Sequence, residues 1–193
     1  MSRKVFLDVG ANVGQNIRNF RNVYGSDYEV FSFEANPKGI AAIRQKYGSD
    51  PLVTIMEYAA SDSDSTAQFY LGPGDVSVSS SLMSNKITGI KHDRYVTVQT
   101  LDLSKWIREN FSSDDEIILY IDIEGAEYPV LTKLINDNML GWFNEAYLEF
   151  HEKKLSGFDM QVHNNIYNTM IEHFQDKVYI FAKYQQEKYE RIG

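Results

Sequence analysis

The sequence predicts an α/β fold: a doubly wound, mostly parallel sheet of the seven-stranded type, with an extra strand pair or lid inserted at about 63–101. Three observations predict it. Two apolar runs, at 5–9 and 117–123, lead into turns that combine acids with glycine, as buried parallel strands feeding helices do. Between the strand-like runs lie segments whose apolar residues recur at helical spacing. That alternation breaks only at 63–101, where two β-rich stretches flank a Gly/Pro turn and a serine cluster. No internal repeat or boundary divides the chain, so residues 1–193 read as one domain.

The opening turn runs Val5-Phe6-Leu7-Asp8-Val9-Gly10-Ala11-Asn12-Val13-Gly14. Gly10 and Gly14 permit a sharp turn and close approach of a ligand, and Ala11 and Asn12 form the floor between them. A dinucleotide fingerprint needs a glycine where Asn12 stands, and a phosphate loop needs Gly-Lys-Ser/Thr. Both are absent. The loop suits a nucleoside ligand without phosphates, with Asp8 near its cationic or hydroxyl-rich part, and S-adenosylmethionine fits that description. Ile17, Phe20, Val23 and Tyr24 then give the first helix its apolar stripe, which Gly25 closes.

The second strand, 29–33, ends at Glu34, 20 residues past Gly14, the spacing at which an acid accepts ribose hydroxyls. Pro37 opens a helix facing inward through Ile40, Ile43 and Tyr47. The third strand is 52–56. The turn at 58–62 offers Ala60 and Ser61 either to a flat adenine ring or as an ordinary Ser/Asp turn. In the insertion, 67–71 and 95–100 are extra strands, and the segment holding Ser77, Ser79, Ser80 and Ser81 reads as a substrate lid or as a disordered linker.

Asp102 or Ser104 caps a helix carrying Trp106, Ile107 and Phe111. The central strand follows and ends in Asp122, Glu124 and Glu127 around Gly125, at the edge where open α/β sheets bind ligands. A helix with Leu131, Leu134 and Ile135 leads to the strand 145–152, on which Glu149 and His151 share one face. A helix at 159–174, a last strand at 178–182 and a polar tail from Tyr184 complete the chain.

The net charge of −8 disfavours nucleic acid as a partner and suits a neutral polar substrate. No run reaches the roughly 18 apolar residues of a membrane span. The start runs straight into the first strand, leaving no room for a signal peptide. Zero cysteines exclude disulfides and thiolate catalysis and fit a reducing, cytoplasmic compartment. Nothing in the composition sets an oligomeric state.

Five pieces in order resemble the FkbM family of class I, Rossmann-like methyltransferases. They are Asp8-Val9-Gly10-Ala11-Asn12-Val13-Gly14, Phe33-Glu34-Ala35-Asn36-Pro37, Ser79-Ser80-Ser81-Leu82, Asp122-Ile123-Glu124-Gly125-Ala126-Glu127 and Glu149-Phe150-His151. The resemblance implies S-adenosylmethionine-dependent O-methylation of a hydroxyl on a sugar, glycan or related natural product. On it, Ser80, Ser81 and Glu124 are expected at the substrate, and Asp8, Gly10, Ala11, Asn12, Gly14, Glu34, Ala60, Ser61 and Asp122 at the cofactor. Ala35 departs from the family's usual Phe-Glu-Pro. The leading helices such enzymes often carry are absent, so the chain reads as a minimal version or as one domain of a larger glycan-building protein.

Two routes activate the acceptor hydroxyl. His151 takes its proton as general base, with Asp122 and Glu149 beside it. Alternatively Asp122 and Glu149, with Glu124 or His151, hold Mg²⁺ or Mn²⁺, which lowers the hydroxyl pKa. The sequence ranks the metal second. His92, His163 and His173 stand outside the acidic strand ends that accompany His151 and read as surface or packing residues. The rivals are an NAD-dependent oxidoreductase, against which the missing glycine weighs, and a non-catalytic module that binds S-adenosylmethionine.

Overall fold

The structure is a computed structural model and describes residues 2–74 and 77–181. Its main sheet contains β1 (Lys4–Val9), β2 (Glu29–Phe33), β3 (Val53–Met56), β7 (Glu116–Ile121), β8 (Glu145–Glu149) and β9 (Val178–Phe181), in spatial order β3-β2-β1-β7-β8-β9. Every pairing in it is parallel. The order reverses between β1 and β7, so the carboxyl ends of these two strands flank the switch point where such sheets bind ligands. Among the described residues this sheet has six of the expected seven strands; Ala182 and the tail from Tyr184 lie outside them.

Alternation along the strands explains the two helical layers. Val5, Leu7, Val9, Ile117, Leu119 and Ile121 point to one face, where α3 (Leu103–Asn110), α4 (Glu127–Asn136) and α5 (Met160–Phe174) bury Ile107, Leu131 and Met170. Phe6, Val30, Ile118 and Tyr120 point to the other, where α1 (Gln15–Tyr24) and α2 (Pro37–Tyr47) bury Ile17, Phe20 and Ile43. The caps match the chemistry of the sequence. Asn36 accepts from Lys38 N before Pro37 in the first turn, and Asp102 accepts from Lys105 N.

The insertion forms a second sheet. The extra strand pair that the sequence predicts is β5 (Ser65–Tyr70) and β6 (Tyr95–Asp102), and the two pair antiparallel. One expectation changes. Residues 59–61 are not a turn but a short strand, β4 (Ala59–Ser61), which pairs parallel with β6. Its two alanines are buried, so the small side chains serve the packing between the sheets as well as the cleft they border. The described part of the loop between β5 and β6 is docked on the body: Ser81 Oγ donates to the Glu124 carbonyl, and Asn85 and Ser156 bond each other.

Candidate active site

β1 ends one residue before Gly10, whose φ of +96° is one that L side chains rarely adopt. A Cβ there would also fall 1.9 Å from the carbonyl oxygen of Asp122. Glycine is therefore what lets the first turn lie against the end of β7. The loop amides turn inward. Gly10 N and Ala11 N both donate to Phe33 O, and Asn12 N donates to Glu34 Oε2 at 2.7 Å. Glu34 Oε1 accepts from Asn36 N at 2.6 Å. One carboxylate thus clamps the glycine loop to the end of β2. Burial pushes its carboxyl up to about 7, against the opposing pull of the amides of Asn36 and Asn12.

The loop, Glu34, β4 and the turn after β7 enclose a cleft that opens to solvent. Of the residues expected at the cofactor, Gly10, Asn12, Glu34, Ala60 and Asp122 line it. Asp8, Ala11, Gly14 and Ser61 do not. Ala11 is buried in the core behind the loop, and Gly14 packs against Tyr47. Ser61 bonds the neighbouring Asp62. Asp8 is wholly buried under the loop, accepting from Asn16 Nδ2 at 3.0 Å and from Ser32 Oγ at 3.3 Å. Burial pushes its carboxyl up to about 6. Asp8 therefore supports the loop from below, which corrects the expectation that it faces the ligand.

Next to the cleft stands an imidazole ringed by acids. His151 is 2% exposed. Its backbone N–H donates to Glu127 Oε1, and its Nδ1 lies 3.1 Å from the same oxygen. Glu127 Oε2 accepts from Gly125 N. The other ring nitrogen, Nε2, faces Glu149 Oε1 at 3.2 Å, Glu124 Oε1 at 3.5 Å and Asp122 Oδ1 at 3.6 Å. The 3.2 Å approach to Glu149 is close in distance but not aligned as a hydrogen bond, and Nε2 and Asp122 Oδ1 are both buried without a hydrogen-bond partner. Glu124, with a φ of 55°, turns its Oε2 to Lys86 Nζ and Lys154 Nζ, each at 2.7 Å.

The electrostatics follow from that ring. Burial alone would lower the His151 pKa, but the hydrogen bond to Glu127 and the close carboxylates of Glu149 and Glu124 outweigh it and raise it to about 10. Burial and the charge of Glu149 push Asp122 up to about 8. Glu124 is held below its ordinary value: burial opposes this, and His151, Lys154 and Lys86 together prevail. The ring of acids therefore leaves His151 protonated at neutral pH. This revises the expectation of an imidazole free to act as base near working pH.

Asp122, Glu149 and His151 each offer one ligand atom within 4.8 Å of the others. Of the site residues Asp8, Glu34, Asp122 and His151, Glu34 and Asp122 border the cleft and His151 adjoins Asp122, while Asp8 lies beneath. The serine patch reaches the cleft through Ser77; Ser80 Oγ accepts from Gly72 N. Ser81 is fully buried, its hydroxyl engaged by Glu124 O and Met83 N. Glu124 likewise supports the site, its carboxylate held by lysines. Sequence reasoning placed Glu127 among the acids after the central strand without assigning it a role, and missed Lys86 and Lys154. Glu127 carried a visible signal, an acid two residues past Gly125 at a helix start; Lys86 and Lys154 carried none.

The profile of the methyltransferase FkbM domain matches residues 8–181, nearly the whole chain. The chain belongs to the FkbM methyltransferase family. A 2-O-methyltransferase, NoeI, from Sinorhizobium fredii (strain NBRC 101917 / NGR234) is 26% identical to it over 137 residues. That match covers 66% of this chain and 56% of the relative, so the FkbM domain here spans little more than half of that protein. A crystal structure of methyltransferase FkbM from Methylobacillus flagellatus KT aligns with a TM-score of 0.44 at 14% identity, over 70% of this chain and 30% of that one. Among the described residues, no helix of this FkbM domain is long and apolar enough to cross a membrane.

Proposed function

We propose that this protein is an S-adenosylmethionine-dependent O-methyltransferase acting on a hydroxyl of a sugar, glycan or related natural product. The observation that carries the reading is a single cleft, bordered by the Glu34-clamped loop on one side and by Asp122, next to the acid-ringed His151, on the other. The residues fit the cofactor. Each Glu34 oxygen accepts one amide and keeps a lone pair for a ribose hydroxyl. Phe33, Ala59, Ala60 and Phe69 give the same cleft apolar walls for a flat base. Membership of the FkbM family supports methyl transfer, and the name of the NoeI relative supports a hydroxyl acceptor.

The loop also speaks against a pyrophosphate. Anion sites use free amides at a helix start, whereas Gly10, Ala11, Asn12 and Gly14 all donate within the protein. This weighs against the nicotinamide reading on grounds independent of the missing glycine.

When bound, S-adenosylmethionine supplies a methyl on a sulfonium, so that bond formation to the acceptor oxygen leaves a neutral thioether. The chain's part is to align the acceptor and receive its proton. Asp122, on the cleft wall beside His151, is placed to orient the hydroxyl, and the carboxylates around His151 give the released proton a destination. Glu127 fixes the imidazole through Nδ1 and so keeps Nε2 turned toward Asp122. Ser81 and Lys86 hold the insertion against the Glu124 turn, which keeps the cleft walled on that side. Ser61 lies outside the cleft and Ser80 bonds within its own loop, so neither has a direct role in this reading.

Mass spectrometry of glycosides incubated with the protein and S-adenosylmethionine tests the proposal. A gain of one methyl on an acceptor oxygen is the expected product. Cofactor binding with no turnover on any hydroxylated acceptor would favour the non-catalytic module. Binding of NAD in place of S-adenosylmethionine would overturn the reading.

A further inference from the structure

Two buried polar atoms in the His151 cluster face each other without partners. Asp122 Oδ1 and His151 Nε2 are 3.6 Å apart, and neither has a hydrogen bond. Burying such groups unsatisfied is costly, so a buried pair of them calls for an occupant, an ordered water or an ion. The surroundings discriminate between these. Four carboxylates (Asp122, Glu124, Glu127 and Glu149) converge on one imidazole, with two lysines, both spent on Glu124 Oε2. Glu127 is occupied with the amides of Gly125 and His151 and with Nδ1. In the state that could ligate a metal, with the imidazole neutral and the carboxylates ionised, four negative charges face only the two lysines, and a neutral water leaves that imbalance in place. A dication corrects it.

We infer that Asp122, Glu149 and His151 Nε2 form a binding site for a divalent cation of the Mn²⁺ type. This deepens the proposed methyl transfer and rests on it only for the cation's purpose, not for its binding. The donor atoms lie within 4.8 Å of one another, a span that one ion of octahedral preference can bridge once the side chains close on it. Two carboxylates suit a hard cation, and the imidazole shifts preference from Mg²⁺ toward Mn²⁺. The Glu127–His151 contact is the outer-shell partner that metal-bound histidines generally have: it fixes the ring and directs Nε2 at the ion. Three protein ligands leave coordination positions free, and Asp122 borders the cleft, so those positions open toward the acceptor. There the ion would lower the pKa of an acceptor hydroxyl. His151 then serves as ligand, and the released proton passes to solvent or to a neighbouring carboxylate.

The test is a titration of chelator-stripped protein with MnCl₂, without S-adenosylmethionine, read by electron paramagnetic resonance. One Mn²⁺ per chain is expected, with nitrogen modulation in the electron spin echo from the imidazole. Asp122→Asn and Glu149→Gln should each weaken binding at least tenfold. His151→Gln should remove the nitrogen modulation, and Glu127→Gln should weaken binding 10- to 100-fold. Circular dichroism of each variant separates loss of the site from loss of the fold. Stoichiometry well below one, affinity unmoved by any folded variant, or an echo without nitrogen would overturn the inference. A separate calorimetric titration with S-adenosylmethionine keeps failure of the metal site distinct from failure of the proposed function.

Discussion

Asp8→Asn should make the protein more stable at neutral pH. Asp8 is wholly buried, and its carboxyl stands at about 6 against an ordinary 3.8, chiefly through burial, with Asn16 and Ser32 partly opposing. The sign follows from linkage. Below the ordinary value both folded and unfolded chains carry the proton, and Asp8 costs nothing. As pH rises toward 6 the unfolded chain ionises first, so the folded state loses ground; above 6 the full penalty stands. At about 1.4 kcal/mol per pH unit of separation, that penalty is about 3 kcal/mol. Asparagine is nearly isosteric and satisfies both neighbours, accepting from Asn16 Nδ2 and donating to Ser32 Oγ. Urea unfolding of both proteins from pH 4 to pH 8 reads the difference. It should be near zero at pH 4 and reach about 2–3 kcal/mol in favour of the variant above pH 6. Because Asp8 has no surface in the cleft, the Kd for S-adenosylmethionine should stay within about threefold at a given pH. A difference that does not change with pH, or a less stable variant at pH 7.5, would refute the reasoning.

Other expectations follow from the same geometry. Glu34 must be ionised to accept ribose hydroxyls, and its carboxyl stands at about 7; affinity for S-adenosylmethionine should be flat above pH 8 and fall toward tenfold per pH unit below 7, by calorimetry. Glu34→Ala removes two hydrogen bonds to a charged acceptor and should cost about 3 kcal/mol of binding, roughly 100-fold in Kd. Gly10→Ala places a Cβ on the Asp122 carbonyl at a positive φ; thermal unfolding should show a loss of at least about 3 kcal/mol, or no soluble protein. Lys86→Met leaves Glu124 with one of its two lysines in a buried site and should cost about 3 kcal/mol, with protease cleavage of the 77–91 segment accelerated.

Much of this was legible in one dimension because it depends on local chemistry. Strand alternation showed both faces of the sheet, and Gly10, Glu34 and Asp122 stand out as special residues at the ends of apolar runs. What local pattern cannot carry is direction and distance. Asp8 and Asp122 both lie at strand ends of similar sequence, yet one is buried under its loop while the other borders the cleft. The strand at 59–61 has the local pattern of a turn, because its pairing partner, β6, lies some 40 residues on. Lys86 sits in a polar loop with nothing to mark it, and only the fold brings it 2.7 Å from Glu124. The charge state of His151 depends on four carboxylates from two separate stretches, and a sequence reading that saw a histidine near acids could not weigh their sum.

A crystal structure with S-adenosylhomocysteine would decide whether the cleft is what it is held to be. Both ribose hydroxyls should sit on the Glu34 carboxylate, with the sulfur turned toward Asp122 and His151. A nucleoside seated elsewhere, or a sulfur pointing away from that pair, would contradict the assignment.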